Sequence, residues 1–185
     1  MGVKVSMKKI TTFLSLTFII IFTSCDIGES INNAIRFNYT QTANFSIPGS
    51  SVVDLPFDIA TPSISSSSER AFDNNNTSAG LVDEITLDEL EMTINSPDDR
   101  TFSFLESIEI YISTENNSEI LLAEKQDIPE TVGATLQLDT SGENLKPYLT
   151  EEAFDLRYEL VTREATGSET DIIAVMTFDV SAEVF

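Results

Sequence analysis

The chain has 185 residues, with 10 Lys+Arg against 31 Asp+Glu, a net charge of -21, one cysteine and neither histidine nor tryptophan. Without histidine there is no Ser-His-Asp triad, no Cys-His dyad and no His-built zinc site, and one cysteine permits no intrachain disulfide. So acidic a surface repels nucleic acid and anionic headgroups, and none of the 7 glycines stands in a phosphate-cradling motif.

In chain order, Lys8-Lys9 precede an apolar run from Ile10 to Phe22, followed by Thr23-Ser24-Cys25. Ile10 to Thr23, about 14 residues, is short of the roughly 20 that a membrane-crossing helix needs, and its length fits a signal-peptide core. Translation starts at Met1 or at Met7, of which Met7 gives the cleaner Met-Lys-Lys opening. Phe22-Thr23-Ser24-Cys25 resembles the lipobox of bacterial lipoproteins, although that pattern favours an aliphatic residue where Phe22 stands. The resemblance covers residues 7–25. It implies removal of residues 1–24, a diacylglyceryl group on the Cys25 sulfur, and anchoring to the outer membrane through several acyl chains, with residues 25–34 as a tether. An ordinary secretory signal with a chance cysteine is the other reading. The Asn-, Ser-, Thr- and acid-rich style that follows is similar to that of Bacteroidota surface lipoproteins. Lys4, Lys8 and Lys9 leave with the signal, so a chain starting at Cys25 keeps seven cations against 31 acids, a net charge of −24.

About 160 residues remain, enough for one domain with a core of its own, placed at residues 35–185. Apolar residues then recur mostly with the strand period of two. Ile35, Phe37 and Tyr39 alternate with polar residues, the series resumes as Ala43, Phe45 and Ile47, and Pro48-Gly49-Ser50 turns the chain. Val53, Leu55, Phe57 and Ile59 form the next run, with Pro56 marking an edge strand or a bulge. Residues 61–80 break the pattern and read as a long polar surface loop, or as a break between a small N-terminal piece and the main domain.

Ile85 and Leu87 are in phase, while Leu90, Met92 and Ile94 are one residue out of step. An extra residue at Asp88-Glu89 predicts a β-bulge there, with a helix through Leu87, Leu90 and Ile94 as the rival. Ser96-Pro97-Asp98-Asp99 is a turn, with Phe102 and Phe104 beyond it. Ile108, Ile110 and Ile112 make a strand that Glu115-Asn116-Asn117-Ser118 turns back into Ile120–Ala123. Leu136 and Leu138 mark another strand, and Leu145, Tyr148 and Leu149 have the spacing of one helical turn. Phe154 to Leu160 and the long run Ile172 to Val184 are the last two strands, joined through 164–168; the final one belongs in the middle of the sheet. About nine strands and little helix predict an all-β fold, an antiparallel β-sandwich of immunoglobulin or fibronectin-III-like topology.

Three loops concentrate oxygen ligands: Asp139–Asn144, Ser96–Asp99 and Asp73–Asn76. They raise a calcium-binding reading, against the plain one that Asx residues close turns through their own backbone bonds. Tyr111 falls on the polar phase of its strand and Tyr158 on the apolar phase. Tyr111 is therefore either a stacking residue for a sugar or protein partner, or the cover of a cross-strand neighbour. Paired carboxylates for glycoside hydrolysis carry no signal among 31 acids. The expectation is a non-enzymatic, lipid-anchored binding or structural module of the cell envelope, with Cys25 its lipidation site and no catalytic, cofactor or metal residue assigned. A divalent-cation module and a sugar-binding accessory of polysaccharide uptake are the alternatives, with a protein or glycan as partner and no nucleic acid.

Overall fold

The computed structural model describes residues 34–49 and 53–185; Cys25 and the rest of the predicted signal and tether lie outside that range. Nine strands account for most of it: β1 Ala34–Ile47, β2 Phe57–Ala60, β3 Ile64–Ser65, β4 Val82–Ser96, β5 Leu105–Ser113, β6 Ile120–Lys125, β7 Thr135–Thr140, β8 Ala153–Thr162 and β9 Thr170–Glu183. Two short helices, α1 Ser68–Asn74 and α2 Lys146–Leu149, and two 3₁₀ turns, Ala79–Leu81 and Phe102–Phe104, complete it. All pairings are antiparallel, in the order β1-β9-β4-β7-β6-β5-β8-β2, and β3 also pairs with β8. The all-β expectation is met.

The sheet curls on itself. Strands β1, β9, β4 and β7 form one half, and β6, β5, β8 and β2 the other. The junction of β6 with β7 rests on only two residue pairs, Ala123↔Thr140 and Glu124↔Asp139. Inward rows from both halves fill the space between them. Phe45 on β1 stacks on Tyr158 on β8 with ring centroids 3.9 Å apart, so strands from the two halves, far apart on the hydrogen-bonded path, meet through their side chains. Burial of these mostly aliphatic inward rows, with the aromatic contact added, holds the curl shut.

Several predicted elements stand as read. β9 lies between β1 and β4, and the first strand runs unbroken because Gln41 continues its inward phase. That position is polar for a reason: its side-chain oxygen accepts the Ser67 amide at 3.0 Å, tying the segment after β3 to β1. β4 changes register between Leu87 and Glu89, where the phase slip predicted a bulge, and the rival helix is absent. The short turn through Leu145, Tyr148 and Leu149 is α2 with its preceding residue.

Two expectations are corrected. Residues 61–80 are not a structureless loop: they hold β3, α1 and a 3₁₀ turn, with Phe72 buried against Phe37 of β1 in an edge-to-face contact at 6.5 Å. Val53 and Leu55 do not belong to the second strand. Asp54 takes a φ of 59° in the left-handed region, which breaks an extended chain, and Leu55 is left 62% exposed. What remains, β2, is a four-residue strand at the end of the sheet's path, the edge position that Pro56 foretold.

Candidate functional site

Alternation on β5 and β8 projects Glu109 and Tyr111 from one strand, and Arg157 and Glu159 from the other, to the outer face of the sheet. Register makes Tyr111 the direct partner of Arg157, and Glu109 the partner of Glu159. Like charges directly opposite on a sheet repel, so the neighbours of this pair matter. The Arg157 guanidinium gives Nε and Nη2 to the two oxygens of Glu119, at 2.9 and 2.8 Å. Its Nη1 reaches Asp58 at 2.6 Å and Glu159 at 3.1 Å. Its plane lies 4.2 Å from the centre of the Tyr111 ring, a cation–π contact. The Tyr111 hydroxyl donates to Glu109 Oε2, while Gln126 donates to Glu109 and Glu124 at 3.0 and 3.2 Å.

The electrostatics follow from that geometry. The hydrogen bond to Glu109, then partial burial and the negative charges of Glu109 and Glu159, push the Tyr111 hydroxyl up to about 12, with Arg157 opposing. The guanidinium holds Glu119 below the usual carboxylate range through its hydrogen bonds. The bonds to Glu119, Glu159 and Asp58 fix Arg157 firmly in its charged form. The cluster therefore clasps four segments: β2 through Asp58, the start of β6 through Glu119, and β5 and β8 from beneath. Its donors are committed to carboxylates and one face of the Tyr111 ring is covered. Of the two roles read for Tyr111, the covering of a cross-strand neighbour is the one observed. Tyr158 is buried, as its phase predicted; burial raises its hydroxyl's pKa, and that oxygen has no hydrogen-bond partner.

Two of the three oxygen-rich loops, Asp139–Asn144 and Asp73–Asn76, make hydrogen bonds within the protein itself. Asp139 is bridged by the Lys125 ammonium at 3.0 and 3.2 Å. The Asn144 side-chain oxygen accepts the amides of Lys146 at 3.0 Å and Ile85 at 3.3 Å, and Gly142 supplies a φ of 72° for the turn. Asn75 returns its side-chain amide to the Ala71 carbonyl at 2.8 Å, and the Asn76 amide bonds the Asp73 carbonyl. The Lys146 amide on the Asn144 oxygen is Asx-turn chemistry. Among the described residues no group of three or more Asp, Glu, Cys or His side chains is placed to hold a metal ion.

A hollow of about 470 Å³ lies between α1 and the residues leading into β8. Phe72 forms its apolar part, and Glu69, Asp73, Glu151 and Glu152 line it with carboxylates. Ser68, also on its wall, donates to the Leu149 carbonyl at 2.5 Å, which locks the wall to the end of α2. The hollow brings these acids together with the hydroxyls of Ser66, Ser68, Ser78 and Thr150, and its lining includes no lysine or arginine.

No known protein family matches this chain. No curated protein matches it either. Among solved structures, a chain of Desmodium yellow mottle tymovirus is similar at 13% identity over 80% of this chain and 84% of that one, with a TM-score of 0.25. That likeness is too slight to carry an argument. Among the described residues no helix is long and apolar enough to cross a membrane.

The Arg157 clasp escaped sequence reasoning. Tyr111 was recognisable on a polar phase, and so was Arg157, but their contact depends on a register that no local pattern encodes. Glu119 and Asp58 come from a turn and an edge strand remote from both.

Proposed function

We propose that the protein is a lipid-anchored component of the cell envelope, attached to the outer membrane through Cys25, with an acidic β-domain acting as a non-catalytic binding or structural module. The observation that carries this reading is the Lys8-Lys9, apolar and Thr23-Ser24-Cys25 succession. The absence of histidine supports a non-catalytic role. So does the commitment of the clustered polar side chains to one another. In this reading the two halves of the curled sheet are the layers of an immunoglobulin- or fibronectin-III-like sandwich, a view supported by the stacking of Phe45 on Tyr158 across the core. Ala34, where β1 begins, follows Cys25 by nine residues. That tether reaches about 30 Å at most, so the start of β1 stays near the lipid surface.

Intact mass and membrane fractionation of the native protein beside Cys25→Ala test this. The native protein is expected in the membrane fraction, with the mass of a chain beginning at Cys25 plus two or three acyl chains. The variant is expected to lack the acyl mass. A native protein without lipid would sink the reading.

A further inference from the structure

Strand register brings three strand ends together at one end of the domain. Ala34, which opens β1, lies opposite Glu183, and Ile35 lies opposite Ala182. Val82, which opens β4, lies opposite the same Ala182 from the other side. The segment before β4 is tied there twice. The Thr77 hydroxyl donates to the Glu183 carbonyl, and the Phe185 amide donates to the Asn76 carbonyl at 3.2 Å. Residues 74–82 carry no charge. Phe185 is 83% exposed, the most open of three exposed large apolar side chains among the described residues. Leu55 belongs to the opposite end. Asp54 beside it donates its amide to the Thr162 carbonyl at the close of β8, and Tyr158 of that strand stacks on Phe45 near the close of β1. Val175 lies mid-strand on an outer face, paired with Glu91.

We propose that the end holding Ala34 and Phe185 rests on the lipid bilayer, with the Phe185 ring set among the headgroups of a zwitterionic leaflet. The inference rests on the anchored reading, in which the residues from Cys25 to Ala34 reach about 30 Å at most. The 14 residues of β1 extend about 45 Å. A domain standing on its Leu55 end would hold Ala34 farther from the lipid than the tether can stretch, so that end cannot turn to the membrane. A domain lying on either side would press carboxylates onto headgroups. One outer face carries Asp58, Glu119 and Glu159, and the other carries Glu89, Glu91 and Asp171. The tether end alone joins an open aromatic ring to an uncharged segment. An aromatic side chain is favoured at the membrane–water boundary, and a short tether keeps its effective concentration there high, so one ring suffices to orient the domain. Glu183, Asp73 and Asp83 flank the ring. They confine the contact to its depth, and anionic lipid repels them.

The chain has no tryptophan, so a single introduced one reports alone. Phe185→Trp and Leu55→Trp, each in the full native protein, are reconstituted into phosphatidylcholine vesicles and recovered by flotation. Half of each preparation contains lipid brominated near the headgroup end of its acyl chains. Bromolipid is expected to quench the emission of Phe185→Trp at least about twofold, as for a ring at headgroup level, and to leave Leu55→Trp unchanged. Adding phosphatidylglycerol is expected to weaken the quenching at 185, and salt to restore it. Equal quenching at the two positions, or none at 185 in protein that floats with the vesicles, overturns the docking and leaves the anchor standing. Protein that does not float removes the anchor and the docking together.

Discussion

At Arg157 a single side chain does the work of several cross-strand contacts. A guanidinium offers five donors fixed in one plane, and here they meet three carboxylates while the same plane covers Tyr111. The consequence for titration is specific. An ordinary tyrosine ionises near pH 10, whereas Tyr111 is pushed up to about 12 by the bond it donates to Glu109. Since the folded chain keeps this proton where the unfolded chain has lost it, Tyr111 supports the fold fully below about pH 10, and that support is lost as pH rises toward 12. Ultraviolet titration should show Tyr111 ionising late along with the more deeply buried Tyr39 and Tyr158, and Glu109→Gln should return one tyrosine toward the ordinary range. A late transition unchanged in Glu109→Gln would assign the shift to another cause.

The strands show what a pattern of apolar residues can and cannot carry. The slip of phase between Leu87 and Leu90 was legible because each half of β4 must send its apolar row into the same core, and only an extra residue reconciles them. Deleting Asp88, which pairs with nothing on β9, should therefore leave both apolar rows facing the core at little cost, whereas deleting Thr86 should turn Val82 and Ile85 outward or break their pairing with β9, at a cost of about 4 kcal/mol at the usual burial values. Urea unfolding compares them, and equal stability of the two variants would contradict the bulge. The segment Ser68–Asn74 was illegible for the converse reason. It is short, and rests on Phe72 within a run of serine and asparagine, so no periodicity marks it. Val53 and Leu55 misled because alternation says nothing of the backbone angle at Asp54.

For the molecule as a whole, acidity was the plainest feature of the sequence, but its distribution over the two outer faces emerges only with the strand register. Charge of one sign strains the compact state, and the five ion pairs of the described residues, three of them at Arg157, relieve little of it. Added salt screens the long-range repulsion and weakens those exposed pairs at once. With so large an excess of acids the repulsion dominates, so Tm should rise by several degrees between about 0.05 and 0.5 M NaCl. A falling Tm in a scanning calorimeter would show instead that the pairs at Arg157 outweigh the net charge.

The pairing of β1 with β9 along 14 residues joins the first described strand to the last. A chain emerging in order, N-terminus first, has no partner for β1 until nearly all of it has been delivered, and β4 waits for the same strand. Such long-range closure makes folding slow and late. On the export reading proposed above that delay is a gain, because a polypeptide that cannot fold early stays threadable through a translocation channel and commits to its native state on the far side.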